Sequence, residues 1–307
     1  MRTFDAGSPW IFSEGLAAVL IKNKWGYIDK QGNIAIEPQF SMASGFSDGL
    51  AAVEVDNKYG FIDKSGQMVI EPQYDFAMAF TEGVSPVSID DYFQIIDKSG
   101  AVVAELDDSF TDIGCFSCGL AAAEYKTGDD EWKYGFIDRT GKMVVKPQFD
   151  FAFTFDEGLA LVTPKYEGKI GFIDTTGQFV LQPEYDEAEP FSDGLAPVKK
   201  DGRWRFIDKT GADVVMLSKE FEYVDTLSEG RSCVKIGDKC GAIDRSGNLI
   251  IDVRFDNMNI FSEGLAYARI GDSHGYINTS GSFEIQKPVT KPTLIDKLKK
   301  RGDWLRW

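Results

Sequence analysis

Four cysteines provide the most reactive side chains of this 307-residue sequence, and two of them form a Cys-x-x-Cys pair. Cys115 and Cys118 make up that pair, whereas Cys233 and Cys240 lie more than a hundred residues further along the chain. Four thiolates could hold a zinc ion, and a Cys-x-x-Cys pair could undergo redox chemistry. Cys118 and Cys240, however, stand where other copies of an internal repeat carry an acidic residue or an aromatic one. We therefore interpret the thiols as drift within the repeat and predict no metal site and no cofactor.

Carboxylates recur in two series, and glycosidases use two carboxylates that flank one bond. The first series comprises Glu14, Asp48, Glu82, Glu157, Asp193, Glu229 and Glu263. The second series comprises Asp29, Asp63, Asp97, Asp138, Asp174, Asp208 and Asp244. A residue that returns in every copy is explained by the repeat, whereas an active site should be a single departure from it. The only histidine, His274, has no Ser or Cys in a context that suggests a triad. We therefore predict no catalytic residue and no enzyme activity.

Two adjacent copies of the repeat are lengthened in the same loop. The spacing from the first aromatic residue to the following Gly is 14 residues in the first copy, 19 in the fourth and 16 in the fifth. Insertions in repeat proteins cluster on one face, which is often the binding face. The candidate binding residues in the two loops are Asp129, Asp130, Glu131, Trp132, Lys165, Tyr166 and Lys169. We hypothesise that they form a contact surface; tolerated variation in loop length is the alternative.

The last residues differ in composition from the rest. Residues 289–307 are predicted to be a linker and a basic amphipathic tail, with a short helix over residues 293–301 and two further candidate binding residues, Trp304 and Trp307. Residues 287–307 contain seven Lys or Arg against two Asp. Such a tail suits a cap over the last repeat, a partner-binding segment or, as the least favoured alternative, a membrane contact.

The remaining chain is strongly acidic. The net charge is −16, so the residues before 287 carry −21. This charge argues against nucleic acid, whose affinity depends on Lys and Arg that neutralise phosphates. It agrees with solubility and with a basic partner. No secretory signal and no apolar run long enough to span a membrane is visible, so the cytoplasm is the expected location.

A short unit accounts for residues 1–288. Its first aromatic position is occupied by Phe12, Phe46, Phe80, Phe116, Phe155, Phe191, Leu227 and Phe261, at steps of 34 to 39 residues. Ahead of the first unit, residues 4–6 match the closing segment of a unit, and the last unit lacks that segment. The chain therefore holds eight units.

Each unit is predicted to contain three β-strands. In the second unit these are residues 50–55, 59–62 and 67–70, and Pro72 ends the third because proline cannot donate to a strand ladder. The Gly after each acidic residue of the first series does not vary, which indicates a positive φ or a close backbone approach. Asn278 replaces the turn Asp in the last unit, and Asn shares with Asp the ability to bond the turn backbone.

These residues resemble the WG-repeat family, named after a Trp-Gly pair such as Trp25-Gly26. The resemblance extends from Phe4 to about Pro288 and rests on Phe-x-(Glu/Asp)-Gly-Leu-Ala, Lys-Trp-Gly-(Tyr/Phe)-Ile-Asp and Ile-x-Pro-Gln-Phe. The Trp is retained at Trp25 and Trp204, the Gly is lost at Gln94 and Arg205, and Leu106 stands where Pro38 would align. The resemblance implies all-β repeats, mostly bacterial, that serve as interaction modules without catalytic residues.

The length of the unit favours an open array over a closed ring. About 34 residues is short for a four-stranded propeller blade of about 40–45 residues. We therefore predict an all-β, open, curved solenoid of three-stranded repeats, with a closed β-propeller as the alternative. The expected function is a non-catalytic protein–protein interaction scaffold, of an effector-associated or immunity type. A module that binds carbohydrate or a cell-envelope polymer is the alternative.

Overall fold

The computed structural model describes residues 11–128 and 131–286, and all of their regular elements are β-strands. No helix in these two ranges is long and apolar enough to cross a membrane. The strands form eight antiparallel sheets in sequence order. Sheets 1 to 4 contain β1 (Leu16–Ile21), β2 (Lys24–Asp29), β3 (Ile34–Phe40); β4 (Met42–Ala43), β5 (Leu50–Val55), β6 (Lys58–Asp63), β7 (Met68–Tyr74); β8 (Phe76–Ala77), β9 (Val84–Ile89), β10 (Tyr92–Asp97), β11 (Val102–Glu105); β12 (Phe110–Ile113), β13 (Leu120–Gly128), β14 (Glu131–Asp138) and β15 (Met143–Phe149).

The other four sheets repeat this pattern. Sheets 5 to 8 contain β16 (Phe151–Ala152), β17 (Leu159–Thr163), β18 (Ile170–Asp174), β19 (Phe179–Tyr185); β20 (Glu187–Ala188), β21 (Ala196–Lys200), β22 (Arg203–Ile207), β23 (Asp213–Met216); β24 (Tyr223–Ser228), β25 (Arg231–Ile236), β26 (Lys239–Asp244), β27 (Leu249–Phe255); β28 (Asn257–Met258), β29 (Leu265–Ile270), β30 (Ser273–Asn278) and β31 (Phe283–Gln286).

The predicted three strands are present in each sheet, but the count of three is wrong. A short additional strand, such as β4, pairs with the first predicted strand and makes sheets 2 to 8 four-stranded. The predicted strand over residues 50–55 is confirmed as β5. The predicted end of the third strand is wrong, because β7 continues through Pro72 to Tyr74. Pro72 is tolerated there because it lies in an irregular part of the ladder, between the paired residues Ile70 and Tyr74, on an edge strand.

That irregularity explains the Gly of the Trp-Gly pair. A Cβ atom on Gly60 would lie 2.5 Å from the carbonyl oxygen of Ile70 and 2.8 Å from the nitrogen of Pro72. Gly is therefore required because the bulged backbone of β7 comes too close for any side chain. In sheets 3 and 6 the fourth strand keeps one register shift but pairs directly with Gln94 or Arg205. Sheets 1, 2, 4, 5 and 7 have a second shift next to the Gly, and sheets 3 and 6 lack both that shift and the Gly.

Apolar side chains are buried between sheets. The described residues form eight apolar clusters, each built from two neighbouring sheets. The first aromatic residue of a sheet packs edge-on against an aromatic residue of the preceding sheet, as in Phe61–Phe80, whose ring centroids are 4.6 Å apart. The same contact joins Phe12 in sheet 1 to Tyr276 in sheet 8, at 4.7 Å.

The contact between the first and last sheets closes a ring. Glu263 accepts a hydrogen bond from the Gly15 N–H at 3.0 Å, and the Ser262 hydroxyl donates to the Phe12 carbonyl at 2.6 Å. The eight sheets are therefore the blades of a closed eight-bladed β-propeller, and are called blades 1 to 8 from here on. The predicted open solenoid is wrong and its stated alternative is confirmed. The last repeat needs no cap over the side that an open array would expose, because blade 1 packs against that side of blade 8. The predicted C-terminal helix lies outside the described residues.

The first carboxylate series forms a ring of bonds between blades. Each acidic side chain accepts a hydrogen bond from the invariant Gly N–H of the next blade, as Glu14 does from Gly49 at 3.0 Å. The other bonds of this kind run from Gly83 to Asp48, Gly119 to Glu82, Gly194 to Glu157, Gly230 to Asp193, Gly264 to Glu229 and Gly15 to Glu263. Cations from the next blade reinforce several of them, as Lys64 does with Glu14 at 2.8 Å. We call the hydrogen bond between the acidic side chain and the Gly N–H of the next blade the latch. The Gly has a positive φ, as predicted, for example +84° at Gly49.

The second carboxylate series acts within its own turn. Asp63 accepts hydrogen bonds from the backbone N–H groups of Ser65 and Gln67, at 2.8 and 3.0 Å. Asn278 makes the same contact with the Ser280 N–H at 2.9 Å. The hydrogen bond from the Ser65 hydroxyl is the main cause of a lowered pKa at Asp63. The predicted structural role of this series is therefore confirmed.

Replacing the Gly of the Trp-Gly pair should destabilise the propeller. We expect Gly60→Ala to lower the free energy of unfolding by about 2–3 kcal/mol, because the methyl group would collide with backbone atoms that cannot move independently. Gly114→Ala is the matched control, since its Cβ would meet nothing closer than 3.6 Å. Chemical denaturation measures both changes, and equal losses for the two variants would contradict the close-approach explanation.

The latch between blades 4 and 5 is missing and should be repairable. Cys118 occupies the position of the carboxylate, and Thr175 occupies the position of the cation that reinforces the latch. Both charged groups are therefore absent at this junction, although Gly158 is present. We expect Cys118→Glu with Thr175→Lys to raise the free energy of unfolding by about 1 kcal/mol, a value reduced for solvent exposure. Thermal or chemical unfolding tests this, with Cys118→Ala as control. The latch does not stabilise the ring if neither the single variant Cys118→Glu nor the double variant with Thr175→Lys is more stable than Cys118→Ala.

Candidate functional site

The lengthened loops of blades 4 and 5 are neighbouring hairpins on one face of the propeller. In blade 4 the insertion extends the two strands themselves, so that Tyr125 pairs with Lys133 and Lys126 with Trp132. In blade 5 the hairpin contains a turn in which the Gly168 N–H donates to the Lys165 carbonyl at 2.8 Å. Both hairpins project where the other blades have short turns. We call the face that carries these turns the hairpin face.

A single carboxylate, Asp150, joins the two hairpins. It accepts a hydrogen bond from the Lys133 ammonium group of blade 4 at 2.5 Å and another from the Tyr166 N–H of blade 5. The hydrogen bond from Lys133 is the main cause of a lowered pKa at Asp150, so the carboxyl stays ionised at neutral pH. The sequence reasoning missed Asp150, because an Asp also occupies this position in blades without insertions, such as Asp75 and Asp186.

The aromatic side chains of the hairpins face solvent. Tyr166 is 83% exposed and Trp132 is 43% exposed, which is far more than packing positions of the repeat show. Glu131 is exposed and its carboxylate lies 3.4 Å from the Lys133 ammonium group. Lys169 pairs with Asp186 of the adjoining strand junction. Large exposed aromatic groups on a positioned backbone are the residue type enriched in interaction hot spots.

Two further exposed aromatic residues lie directly after Asp150. Phe151 and Phe153 are 42% and 43% exposed, and their ring centroids are 4.9 Å apart. Phe151 also contacts Tyr134 of blade 4 at 5.8 Å. A signal for them is present in the sequence, because the corresponding residues of blade 2 are Met42 and Ser44, and blade 5 is therefore unusually aromatic at both alternating positions.

Four of the predicted binding residues, Asp129, Asp130, Trp304 and Trp307, lie outside the described residues. The other five predicted residues lie in the two neighbouring hairpins. Glu131 and Trp132 belong to the blade 4 hairpin, and Lys165, Tyr166 and Lys169 belong to the blade 5 hairpin.

The reactive side chains do not assemble into one site. Cys115 and Cys118 belong to blade 4 and the other two cysteines to blade 7, and no group of three or more metal-binding side chains is close enough to hold a metal ion within the part of the chain that is described. Cys233 and Cys240 lie on the neighbouring strands β25 and β26, and the interaction with Cys233 lowers the pKa of Cys240. His274 is buried beside Tyr267.

The fold defines a class of protein, the closed β-propeller built from tandem repeats. The sequence matches the family described as WG containing repeat over residues 10–25, 25–59, 59–93, 134–163, 170–204, 204–240 and 241–272. These segments make up more than half of the chain. The chain therefore belongs to the WG-repeat family, as the sequence resemblance predicted. No curated protein sequence matches it.

Solved structures share the fold at low sequence identity. The chain is similar to a structure of a eukaryotic initiation factor, at 10% identity and a TM-score of 0.62, over 93% of this chain and 91% of that one. It is also similar to Hsv2p of Kluyveromyces lactis, at 8% identity and a TM-score of 0.50, over 79% of this chain and 92% of that one. At these identities the likeness extends to the fold alone.

Removing Asp150 should uncouple the two hairpins without unfolding the propeller. We expect the Tyr166 amide in Asp150→Ala to exchange its hydrogen about tenfold faster, which corresponds to the loss of one hydrogen bond. Hydrogen exchange followed by NMR or mass spectrometry measures this rate. Asp75→Ala is the matched control, because Asp75 accepts the same two hydrogen bonds, from the Lys58 ammonium group of blade 2 and the Asp90 N–H of blade 3. Unchanged exchange at Tyr166 in Asp150→Ala would show that the hairpins are held by other contacts.

Proposed function

We propose that this protein is a non-catalytic scaffold that binds a protein partner through the hairpins of blades 4 and 5. The observation that carries the proposal is the joint exposure of Trp132 and Tyr166 on two adjacent lengthened hairpins that Asp150 holds together. Because one carboxylate fixes both hairpins, the two aromatic groups would be presented with little loss of conformational entropy on binding. Tyr92 is 57% exposed at the hairpin of the neighbouring blade 3.

The charge of the hairpin face favours a basic partner. Among the described residues, the turns of the hairpin face contain the acidic residues Asp56, Asp90, Asp91, Glu167, Asp201, Asp238 and Asp272 against the basic residues Lys22, Lys165 and Lys169. Acidic side chains around an aromatic contact would steer a basic protein and disfavour acidic ones, nucleic acid included. A basic effector or toxin in the cytoplasm, neutralised by an immunity-type binder, is the specific case that this surface suits.

Truncating the two aromatic groups should abolish partner binding. We expect Trp132→Ala with Tyr166→Ala to weaken binding at least a hundredfold, since hot-spot truncations typically cost about 2 kcal/mol or more each. Affinity capture from the native host, followed by mass spectrometry, identifies the partner as the protein retained by the unchanged chain and lost with the double variant. Calorimetry on the purified pair then measures the loss.

The matched control is Ile270→Ala, an exposed apolar residue at the equivalent hairpin of blade 8. It should bind as tightly as the unchanged chain. Deletion of residues 127–131 should remove binding and leave the melting temperature within a few degrees. A partner that survives both the double variant and the deletion would contradict the proposal, and retention on glycans instead of proteins would favour the carbohydrate alternative.

A further inference from the structure

The propeller contains an apolar cavity on its axis. The cavity has a volume of about 420 Å³ and includes Ile11 of blade 1, Met42 of blade 2, Ala79 of blade 3 and Cys115 of blade 4. In a ring of eight, blades 1 and 4 are not neighbours, so a cavity that both of them line must lie at the centre. The short strand of each blade, such as β4, is therefore the strand nearest the axis. A pocket of this size with mainly apolar walls is typical of sites that take an aromatic or aliphatic group.

The opposite half of the axial opening is acidic. The positions equivalent to Met42 and Ser44 are occupied by Glu187 and Glu189 in blade 6 and by Tyr223 and Asp225 in blade 7. Side chains of these two blades meet there, because the Tyr223 hydroxyl donates a hydrogen bond to Glu189 at 2.8 Å. The axial positions are therefore apolar in blades 2 and 3 and negatively charged in blades 6 and 7, whereas blade 4 has Asp112 at the position of Met42.

Two of these carboxylates are half-buried and, within the described part of the chain, have no cation beside them. In residues 11–128 and 131–286, neither Glu189 nor Asp225 belongs to an ion pair, whereas Glu187 pairs with Lys199 at 2.7 Å. Burial raises the pKa of both Glu189 and Asp225. A carboxylate that has lost water and gained no cation is unfavourable, so a positively charged group placed beside this pair would stabilise it.

The chain supplies such a group together with an aromatic one. Residues 287–307 contain seven Lys or Arg, and Arg306 stands between Leu305 and Trp307, with Trp304 nearby. This segment leaves β31 at Gln286, which lies opposite Gly275 near the hairpin end of blade 8. The eighteen residues from Gln286 to Trp304 span about 27 Å even at the rise of a helix, whereas the three spacings of about 4.8 Å in a four-stranded blade place the outer strand roughly 15 Å from the strand nearest the axis. The segment can therefore reach the axis.

We infer that residues 287–307 fold back over the hairpin face and seat the indole of Trp304 or Trp307 in the axial cavity, with neighbouring Lys and Arg side chains against Glu189 and Asp225. The docking is intramolecular, so the segment acts at an effective concentration of about 1 mM. An intrinsic dissociation constant of about 100 µM would then keep it about 90% docked. This inference does not depend on the partner proposed for blades 4 and 5.

Fluorine NMR of the full chain labelled with 5-fluorotryptophan tests the docking. Trp304→Phe and Trp307→Phe assign the two resonances, and the free peptide of residues 287–307 provides the undocked frequencies. We expect one tail resonance of the full chain to differ from its frequency in the peptide. It should return to that frequency in Ala79→Phe, which fills the cavity, and move towards it in Glu189→Gln with Asp225→Asn, which removes the charge.

Trypsin cleavage within residues 297–301 is a second measurement on the same full-length variants. At 90% docking the unchanged chain should be cut about tenfold more slowly than Glu189→Gln with Asp225→Asn, which tests the docking even if Ala79→Phe does not fold. Glu71→Gln with Asp252→Asn, exposed carboxylates on the outer strands, is the charge-matched control and should remain protected.

Two outcomes would overturn the inference. One is that both tail resonances coincide with those of the peptide and all variants are cleaved at the same rate. The other is that the displacement and the protection disappear on dilution, because the tail would then occupy a second copy of the chain. Trp132→Ala with Tyr166→Ala should leave the tail resonances unchanged, so failure of the proposed partner site and failure of the docking are separately visible.

Discussion

The latch between an acidic side chain and the Gly amide of the next blade is the constraint on which the rest of the structure depends. A single blade has two faces and cannot bury either of them alone, so the core exists only between neighbours. The latch sets how those neighbours meet, since Glu14 reaches the Gly49 amide through a turn in which both Glu14 and Gly15 have positive φ. Repeated around the chain, the same bond returns from Glu263 to Gly15 and leaves no exposed sheet face.

The local part of this architecture is readable in the sequence, and the closure is not. The strand over residues 50–55, the turn role of Asp63 and the positive φ of Gly49 all follow from residue types and spacing. An open array and a ring, however, use the same contact between neighbours and differ only in a small angle per repeat. The contact that decides between them, Glu263 with Gly15, joins residues 248 apart that look like every other pair in the series.

Residues that depart from the repeat can be explained only together with the residues that lie next to them in the fold. Gln94 looks like a lost Gly and Leu106 like a lost Pro, yet both accompany one change in blade 3, the loss of the second register shift in the fourth strand. Cys118 and Thr175 are far apart in sequence. In the fold, they replace the carboxylate and the reinforcing cation of the same latch, between blades 4 and 5. Asp150 is the converse case, because it is an ordinary repeat residue whose two bonding partners are the inserted hairpins. A single sequence shows each residue but not its pairing, which is why the binding loops were predictable and their coupling was not.

The same reasoning explains why function should be sought in the asymmetry of the ring. Eight identical blades would place the same side chains around the axis and the same short turn at every position of the hairpin face. This chain instead has apolar side chains on the axis in blades 2 and 3, where Met42 and Ala79 lie, and carboxylates in blades 6 and 7, where Glu189 and Asp225 lie. It also has long hairpins only in blades 4 and 5, within the described residues. The latches and interblade cores are insensitive to these substitutions, because they use other positions of the repeat. The scaffold therefore leaves the axial and hairpin positions free to vary, and their departure from eightfold symmetry is what a specific binding surface requires.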